Sequence, residues 1–392
     1  MTFIALDDKE FCKGIYQNGN LVFNQLPENL DRTWKFISYL DGKNIDFIHL
    51  FCDGKDIGDL VPENLAPQWE AHNKRLTAYL KSFQQAKLNL TDNCIYDLIP
   101  KQFLMEFCEL KCKIIDQIAS VYVKPVNYDF SVKLESLLSR IRNKPLKIDL
   151  KSINHLRHTI DAREFLKNID SFTRYIDFNQ FGTKTGRLTT KKKTFPILNL
   201  NSDFRSIIHP HNDLFLEIDY NAAELRVLLA LSGQKQPDGD IHQWNANCLG
   251  ISREQAKKDV FAWLYGSTQV SGNLFEQLYQ TRVVLNKYYD GKIVTNYFGR
   301  RIESDDFHAL NHIVQSTSSD MVLRQALKVD AFLKEKKSAI GFIIHDSLVF
   351  DISGNELDLF SELTNIFSEC EFGRFPVRVY SGKDFGSLKE VK

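Results

Sequence analysis

Leu214-Phe215-Leu216-Glu217-Ile218-Asp219 and Gly341-Phe342-Ile343-Ile344-His345-Asp346-Ser347-Leu348-Val349-Phe350 are the two stretches whose pairing decides the fold. The first is a short apolar run that ends in an aspartate and leads into a helix-like segment. The second places its aspartate at the bend of an apparent hairpin. If the two are neighbouring strands, carboxylates far apart in sequence meet at one edge of a sheet. Such an edge is a cradle for divalent metal.

The composition permits that reading without pointing to it. The chain has 392 residues, 43% of them hydrophobic and 12% aromatic, enough apolar material for two or three packed domains. Fifty basic residues balance fifty acidic ones, so no global field draws the protein to nucleic acid or to an anionic membrane. Any polyanion site must be local. The stretch from Gly182 to Pro210 is the candidate: there Lys184, Arg187, Lys191, Lys192, Lys193 and Arg205 face only Asp203. The seven cysteines are scattered and show no Cys-x-x-Cys spacing, as expected of a reducing compartment. Cys108 and Cys112, one helical turn apart, read as buried packing residues rather than as metal ligands. With no signal peptide and no apolar run of membrane-spanning length, the expectation is a soluble, cytoplasmic protein without a membrane partner.

Along the chain, residues 1–62 read as a small α/β unit. It would have a strand at Phe3 to Leu6, a hairpin from Gly14 to Phe23, a short helix from Trp34 to Leu40 and a strand from Ile45 to Phe51. From Pro67 to about Leu166 apolar residues recur at helical spacing, with breaks near Thr91-Asp92-Asn93, Pro100, Pro125 and Pro145. Strand-like patterns resume around Phe172 to Phe178.

Ser252-Arg253-Glu254-Gln255 is a capping box, and it predicts a helix running to Tyr265 before Gly266. Arg253, Lys257, Phe261 and Tyr265 fall at intervals of four, so one face carries two cations and then two rings. The cations sit in the first turns, where the helix dipole disfavours them by a few tenths of a kcal/mol. Cations in water and rings in the core would be the bland account. The alternative is a face that reads a nucleotide, with charge on the triphosphate and rings on base and sugar.

Together these segments resemble the family A DNA polymerases, the group of bacterial DNA polymerase I and many phage replicative enzymes. Asp219-Tyr220-Asn221-Ala222-Ala223-Glu224-Leu225-Arg226 is similar to the first palm motif, Arg253 to Gly266 to the fingers helix, and His345-Asp346 to the last palm motif. Thr185-Gly186-Arg187-Leu188, Asp240-Ile241-His242 and Phe298-Gly299-Arg300-Arg301 with Asn311 and Gln315 match as well, all in the family's order. The resemblance implies an α+β right-hand polymerase fold. Its palm would span 181–235 and 298–392, its fingers 236–297 and its helical thumb 63–180, with 1–62 as a remnant of an inactive exonuclease.

The resemblance also implies roles. Asp219 and Asp346, with the backbone carbonyl of Tyr220, would hold two Mg²⁺ ions, Mn²⁺ being able to substitute; one ion would activate the primer 3′-hydroxyl and the other steady the triphosphate. Arg253, Lys257 and His242 would bind the incoming triphosphate, with Lys257 donating a proton to pyrophosphate. Phe261 would stack on the incoming nucleotide and Tyr265 hold the template side. Glu224 would exclude a 2′-hydroxyl. Thr185, Arg187, Asn311, Gln315 and His345 would contact primer-template DNA, and Lys191, Lys192 and Lys193 would track its backbone. Primer-template DNA and dNTPs are the implied partners, with room for a replisome or host processivity protein.

Departures from the pattern qualify this. Ser347 stands where the last palm motif has Glu, Phe307 where an arginine is common, and Trp263 adds bulk near the fingers hinge. Asp8-Lys9-Glu10 superficially matches a nuclease motif but lacks partner carboxylates. The expectation is a template-directed DNA polymerase without 3′-5′ proofreading, of phage or mobile-element type. A gap-filling, lesion-bypass or primer-synthesising polymerase, or a degenerate DNA-binding module, are the alternatives.

Overall fold

The computed structural model describes residues 1–6, 13–88, 93–266 and 272–391. Asp8, Lys9, Glu10, Thr91 and Asp92 lie outside them. Two compact units divide the chain, Met1–Arg140 and Ile141–Lys392.

In the first unit the strands Gly14–Gln17 and Asn20–Phe23 form the expected hairpin, and Ile4–Ala5 pairs with it to make three strands. The turn is Asn18-Gly19, both at positive φ, the backbone that two-residue hairpins require. Two readings change. The helix foreseen from Trp34 is only a 3-10 turn at Ser38–Leu40, and the strand foreseen from Ile45 gives way after Phe47 to a 3-10 helix, Ile48–Cys52. Ile48, His49, Leu50 and Cys52 are all buried, so no alternation of inner and outer residues holds the segment extended. The Trp34 carbonyl instead accepts from the His49 amide at 3.0 Å and lies 2.8 Å from its Nδ1, curling the chain.

The helical stretch is as expected: Ala66–Gln85, Ile95–Leu98, Lys101–Val121 and Tyr128–Arg142, with Pro100 directly ahead of the third. Phe103, Phe107, Leu110, Ile114 and Ile118 form the inner face of Lys101–Val121. His72 stacks on the two phenyl rings. Burial pushes the Cys108 thiol up to about 11 and that of Cys112 up to about 12, as befits packing residues.

The second unit is built on an antiparallel sheet of five strands in the order Ala339–Ile344, Ser347–Ile352, Leu214–Tyr220, Val377–Gly382, Lys389–Glu390. The long helix Ala309–Leu333 packs against the helices Ala223–Leu231 and Leu359–Ser368, and the last also packs on Leu214–Tyr220. The strand expected from Phe172 shrinks to Phe178–Asn179, because Thr173, Arg174 and Tyr175 are exposed and have no face to bury. Its pairing with Thr189–Thr190 closes a loop that carries Thr185 and Arg187.

One buried cation organises the exit from the central strand. Ala222 adopts a left-handed conformation that turns the chain into Ala223–Leu231, and Arg226, fully buried, fixes the turn. Its Nε donates to the Asn221 carbonyl at 2.8 Å, and its Nη2 and Nη1 to the carbonyls of Gly239 at 2.6 Å and Pro237 at 3.5 Å. The segment leading to the next helix, Ile241–Leu249, is thereby tied to the strand end. Arg226→Met removes the donor to three part-buried carbonyls at roughly 1 kcal/mol each. Urea unfolding should therefore register a loss on the order of 3 kcal/mol.

Candidate active site

The strand register creates the site. Leu214–Tyr220 runs antiparallel to Ser347–Ile352 with Asp219 opposite Ser347, and the Tyr220 amide donates to the Asp346 carbonyl at 3.4 Å. His345, at φ 50°, makes the tight turn that sets Asp346 at the mouth of the hairpin. The two carboxylates thus meet at one sheet edge, as the sequence suggested. Side chains two apart share a strand face, so Glu217 lies beside Asp219. Its Oε1 is 3.0 Å from the hydroxyl of Ser347.

These three acids are half-buried. Burial, then the charges of Asp346 and Glu217, push Asp219 up to about 7, with Arg378 across the strand pulling the other way. Burial likewise raises Asp346 and Glu217. A divalent cation would relieve this repulsion. Among the described residues no three His, Cys, Asp or Glu side chains are grouped to hold a metal. The edge therefore offers two carboxylates and adjacent backbone, a hard-oxygen set that leaves positions open for phosphate and water, which suits Mg²⁺. The Tyr220 ring is buried against Phe367 and its hydroxyl donates to the Phe367 carbonyl, so only its backbone could serve.

Arg187, Glu224, His345 and Asp346 line one pocket. Glu224, in the first turn of Ala223–Leu231, accepts from the Arg187 guanidinium and, at 2.9 Å, from the Tyr265 hydroxyl. Burial raises its pKa while those two partners oppose the rise. Thr185 Oγ1 donates to Gln315 Oε1 at 2.6 Å, and Asn311 Nδ2 lies 3.4 Å from the Leu264 carbonyl. Between Thr185 and Arg187 a Cβ on Gly186 would fall 2.6 Å from the Arg300 guanidinium. That guanidinium is itself held by buried Asp320 at 2.6 Å.

The helix Arg253–Leu264 begins at Ser252, whose hydroxyl accepts from the Gln255 amide at 3.2 Å. The capping box is half formed, since the Gln255 side chain donates to Asp259 at 2.7 Å rather than reaching back. Ala256, Val260 and Leu264 are buried, while Lys257 is exposed and Phe261 half-buried. Tyr265 is 50% exposed, so the rings are not core residues. Phe261 and Tyr265 stack with centroids 6.3 Å apart, and His242 approaches Phe261 at 5.6 Å. Burial lowers the His242 pKa, and its buried Nδ1 has no hydrogen-bond partner. Arg253 Nη2 pairs with Asp240 at 2.7 Å. Burial works against Asp240 ionising, but the Arg253 hydrogen bond and the Gln243 and His242 amides hold it at about 2.

Phe307 stands over Gly266, where a Cβ would lie 2.5 Å from its ring. Trp263 is not loose bulk: it stacks on Phe275 at 5.2 Å and on Tyr279 at 5.8 Å. Of the basic stretch, Lys191 pairs with Asp177 at 2.9 Å, a counter-charge that only folding supplies, while Lys192 and Lys193 are exposed. Sequence reasoning passed over Glu217, Arg378 and the pairing of Asp240. Glu217 was legible from the strand period; Arg378 depends on a cross-strand register that sequence does not show.

No family model matches the chain. A DNA polymerase of Mycobacterium phage L5 is 26% identical over 234 residues, covering 50% of this chain and 38% of that protein. DNA polymerase I of Chloroflexus aurantiacus is 23% identical over 287 residues, 58% of this chain and 30% of the relative. The thermostable DNA polymerase I of Thermus aquaticus is 25% identical over 272 residues, 54% and 32% respectively. The chain thus spans about a third of the length of these curated relatives. Among solved structures, the POL domain of Pol1 from M. smegmatis in complex with DNA primer-template and dNTP aligns with a TM-score of 0.55 at 14% identity. The alignment covers 73% of this chain and 76% of that one. The fold is the α+β fold of a polymerase POL domain, and the curated proteins that the chain resembles are DNA polymerases by name.

The raised pKa of Asp219 has a stability consequence whose sign follows from linkage. Its folded value lies above that of an unfolded carboxylate, so ionisation opposes folding; the penalty is absent below about pH 4, grows towards pH 7 and is complete above it. Asp219→Asn should raise the melting temperature of the metal-free protein by a few degrees at pH 8. Calorimetry at pH 4 should show that gain shrinking to nothing.

Proposed function

We propose that the chain is a template-directed DNA polymerase that adds dNTPs to a primer 3′-hydroxyl, without 3′-5′ proofreading, in phage or mobile-element replication or repair. One observation carries the reading. Asp219 and Asp346 share a desolvated sheet edge, and Asp346 lines the same pocket as Arg187 and as Glu224, which the helix-terminal Tyr265 caps. The relatives' names and the POL-domain fold support it.

Residues 181–235 and 298–392 serve as palm, 236–297 as fingers and 63–180 as thumb, with 1–62 an accessory unit. Asp219, Asp346 and the Tyr220 carbonyl would hold two Mg²⁺ ions, which when bound acidify the primer hydroxyl and offset triphosphate charge. The chain's own groups do the rest. Arg253 and Lys257 bind the triphosphate, Arg253 exchanging Asp240 for phosphate oxygens, and Lys257 protonates the leaving pyrophosphate. His242, kept neutral by burial, donates a hydrogen bond to the same phosphates. Phe261 stacks on the nucleotide, and Tyr265 swings from Glu224 to hold the template side. Glu224 then fills the space of a 2′-hydroxyl. Thr185, Arg187, Asn311, Gln315 and His345 hold the primer end.

Primer extension on matched and mismatched 3′ ends tests both halves of the proposal. Extension without excision is expected, and excision of the mismatch would remove the second half. Asp219→Ala should abolish extension while leaving primer-template affinity within about twofold; continued extension would sink the mechanism. Glu224→Ala should raise ribonucleotide incorporation roughly 10- to 100-fold in the same assay. Neutralising Lys191, Lys192 and Lys193 together should weaken DNA binding alike for all sequences. It should also reduce the slope of log affinity against log salt by roughly 2 to 3.

A further inference from the structure

We propose that Glu217 and Ser347 form one unit, in which Glu217 supplies from the central strand the acidic charge that the His-Asp-Glu pattern puts at position 347. Ser347 orients that carboxylate beside the Asp219–Asp346 cradle. Glu217 is then a positioning residue that sets the cradle's affinity for divalent cations. The inference rests on the polymerase reading of the site and extends it.

The register makes the exchange geometrically simple. Asp219 is opposite Ser347, and Glu217 is two residues back on the same face of Leu214–Tyr220. Ser347 is 3% exposed, and its hydroxyl lies 3.0 Å from Glu217 Oε1 and 3.1 Å from the Ile344 carbonyl. A hydroxyl has a single proton, and a carboxylate is the stronger acceptor. The bond therefore goes to Glu217 and fixes its carboxylate on rigid, paired strands rather than on a loop.

Charge accounts for the pairing of residue types. A glutamate at 347 would place two acids within hydrogen-bonding distance in a desolvated place, where like charges repel most. Glutamate at 217 thus requires a small neutral donor at 347, and serine at 347 keeps the edge's charge unchanged only because Glu217 is present. Glu217 lies two residues back from Asp219 and is bonded to Ser347, so it acts from the outer sphere, through its charge and through water bound to the cation.

The test is Mn²⁺ binding, followed by electron paramagnetic resonance, on the protein bound to a dideoxy-terminated primer-template with matching dNTP. Glu217→Gln, Ser347→Glu and the double variant Glu217→Ser/Ser347→Glu are compared with Asp219→Ala. Glu217→Gln, close to isosteric, should weaken Mn²⁺ binding roughly tenfold and raise the Mg²⁺ concentration for half-maximal extension in parallel. Ser347→Glu alone should lower the melting temperature through its clash with Glu217. The double variant, with the acid moved across the strands, should recover both melting temperature and Mn²⁺ affinity to within about threefold.

Unchanged metal affinity in Glu217→Gln, or a double variant no better than Ser347→Glu, would overturn the proposal. Should Glu217→Gln prove too unstable to measure, the recovery or failure of the double variant decides alone. If the unmodified protein binds Mn²⁺ in an Asp219-dependent way yet extends no primer, the polymerase reading fails. The metal titrations still judge Glu217.

Discussion

Everything at this site depends on antiparallel pairing that forces mutually repelling carboxylates together. Left to themselves, Asp219 and Asp346 would separate into water. The backbone hydrogen bonds between Leu214–Tyr220 and the hairpin strand, within a sheet of five strands, forbid it. The fold spends part of its stability here, as functional sites commonly do. Asp219, held at about 7, shows how far the edge is from what an empty sheet would prefer.

The same logic repeats around the pocket in milder form. Several groups around the pocket are already engaged, Arg253 by Asp240, Glu224 by Arg187 and Tyr265, Gln315 by Thr185, whereas the buried Nδ1 of His242 is not. A buried or half-buried charge without a partner is costly, so the free protein satisfies these groups with one another. On the proposed function, substrate binding would be largely an exchange of partners. The net affinity for a nucleotide would then be the difference between two sets of charge-assisted bonds, which would favour correct ligands that complete every exchange.

Much of this was legible in the chain. The two strand-plus-aspartate stretches, the Ser252 cap and the Gly266 stop are local signals, and the structure keeps them, although Gln255 turned to Asp259. What failed were segments whose pattern is ambiguous by nature. Ile48 to Cys52 is apolar except for His49, and periodicity cannot choose a strand over a 3-10 helix there. Phe172 to Phe178 looked like a strand, and Thr173, Tyr175 and Asp177 do share backbone hydrogen bonds with Lys193, Phe195 and Lys191, but with Thr173 to Tyr175 exposed only Phe178–Asn179 forms a regular strand. Residues brought in by long-range register, Arg378 against Asp219 or Asp177 against Lys191, carry no local signature at all. Glu217 was visible, two positions before a singled-out aspartate. It was passed over because a strand acid reads as a solvent-facing residue until its cross-strand neighbour is known.

Trp263 gives the Arg253–Leu264 helix a mechanical character. Its indole is stacked on both Phe275 and Tyr279, and Tyr279 is pinned by its hydroxyl to Asn245 at 2.9 Å. Sliding an aromatic ring off such a stack costs on the order of 1 kcal/mol per pair. The helix therefore cannot roll about its own axis cheaply. It behaves as one arm of a rigid lever that includes the Gly272–Leu278 helix, so rotation has to be taken up at its ends. Bulk at this position stiffens the arm, and leaves compliance to the joints.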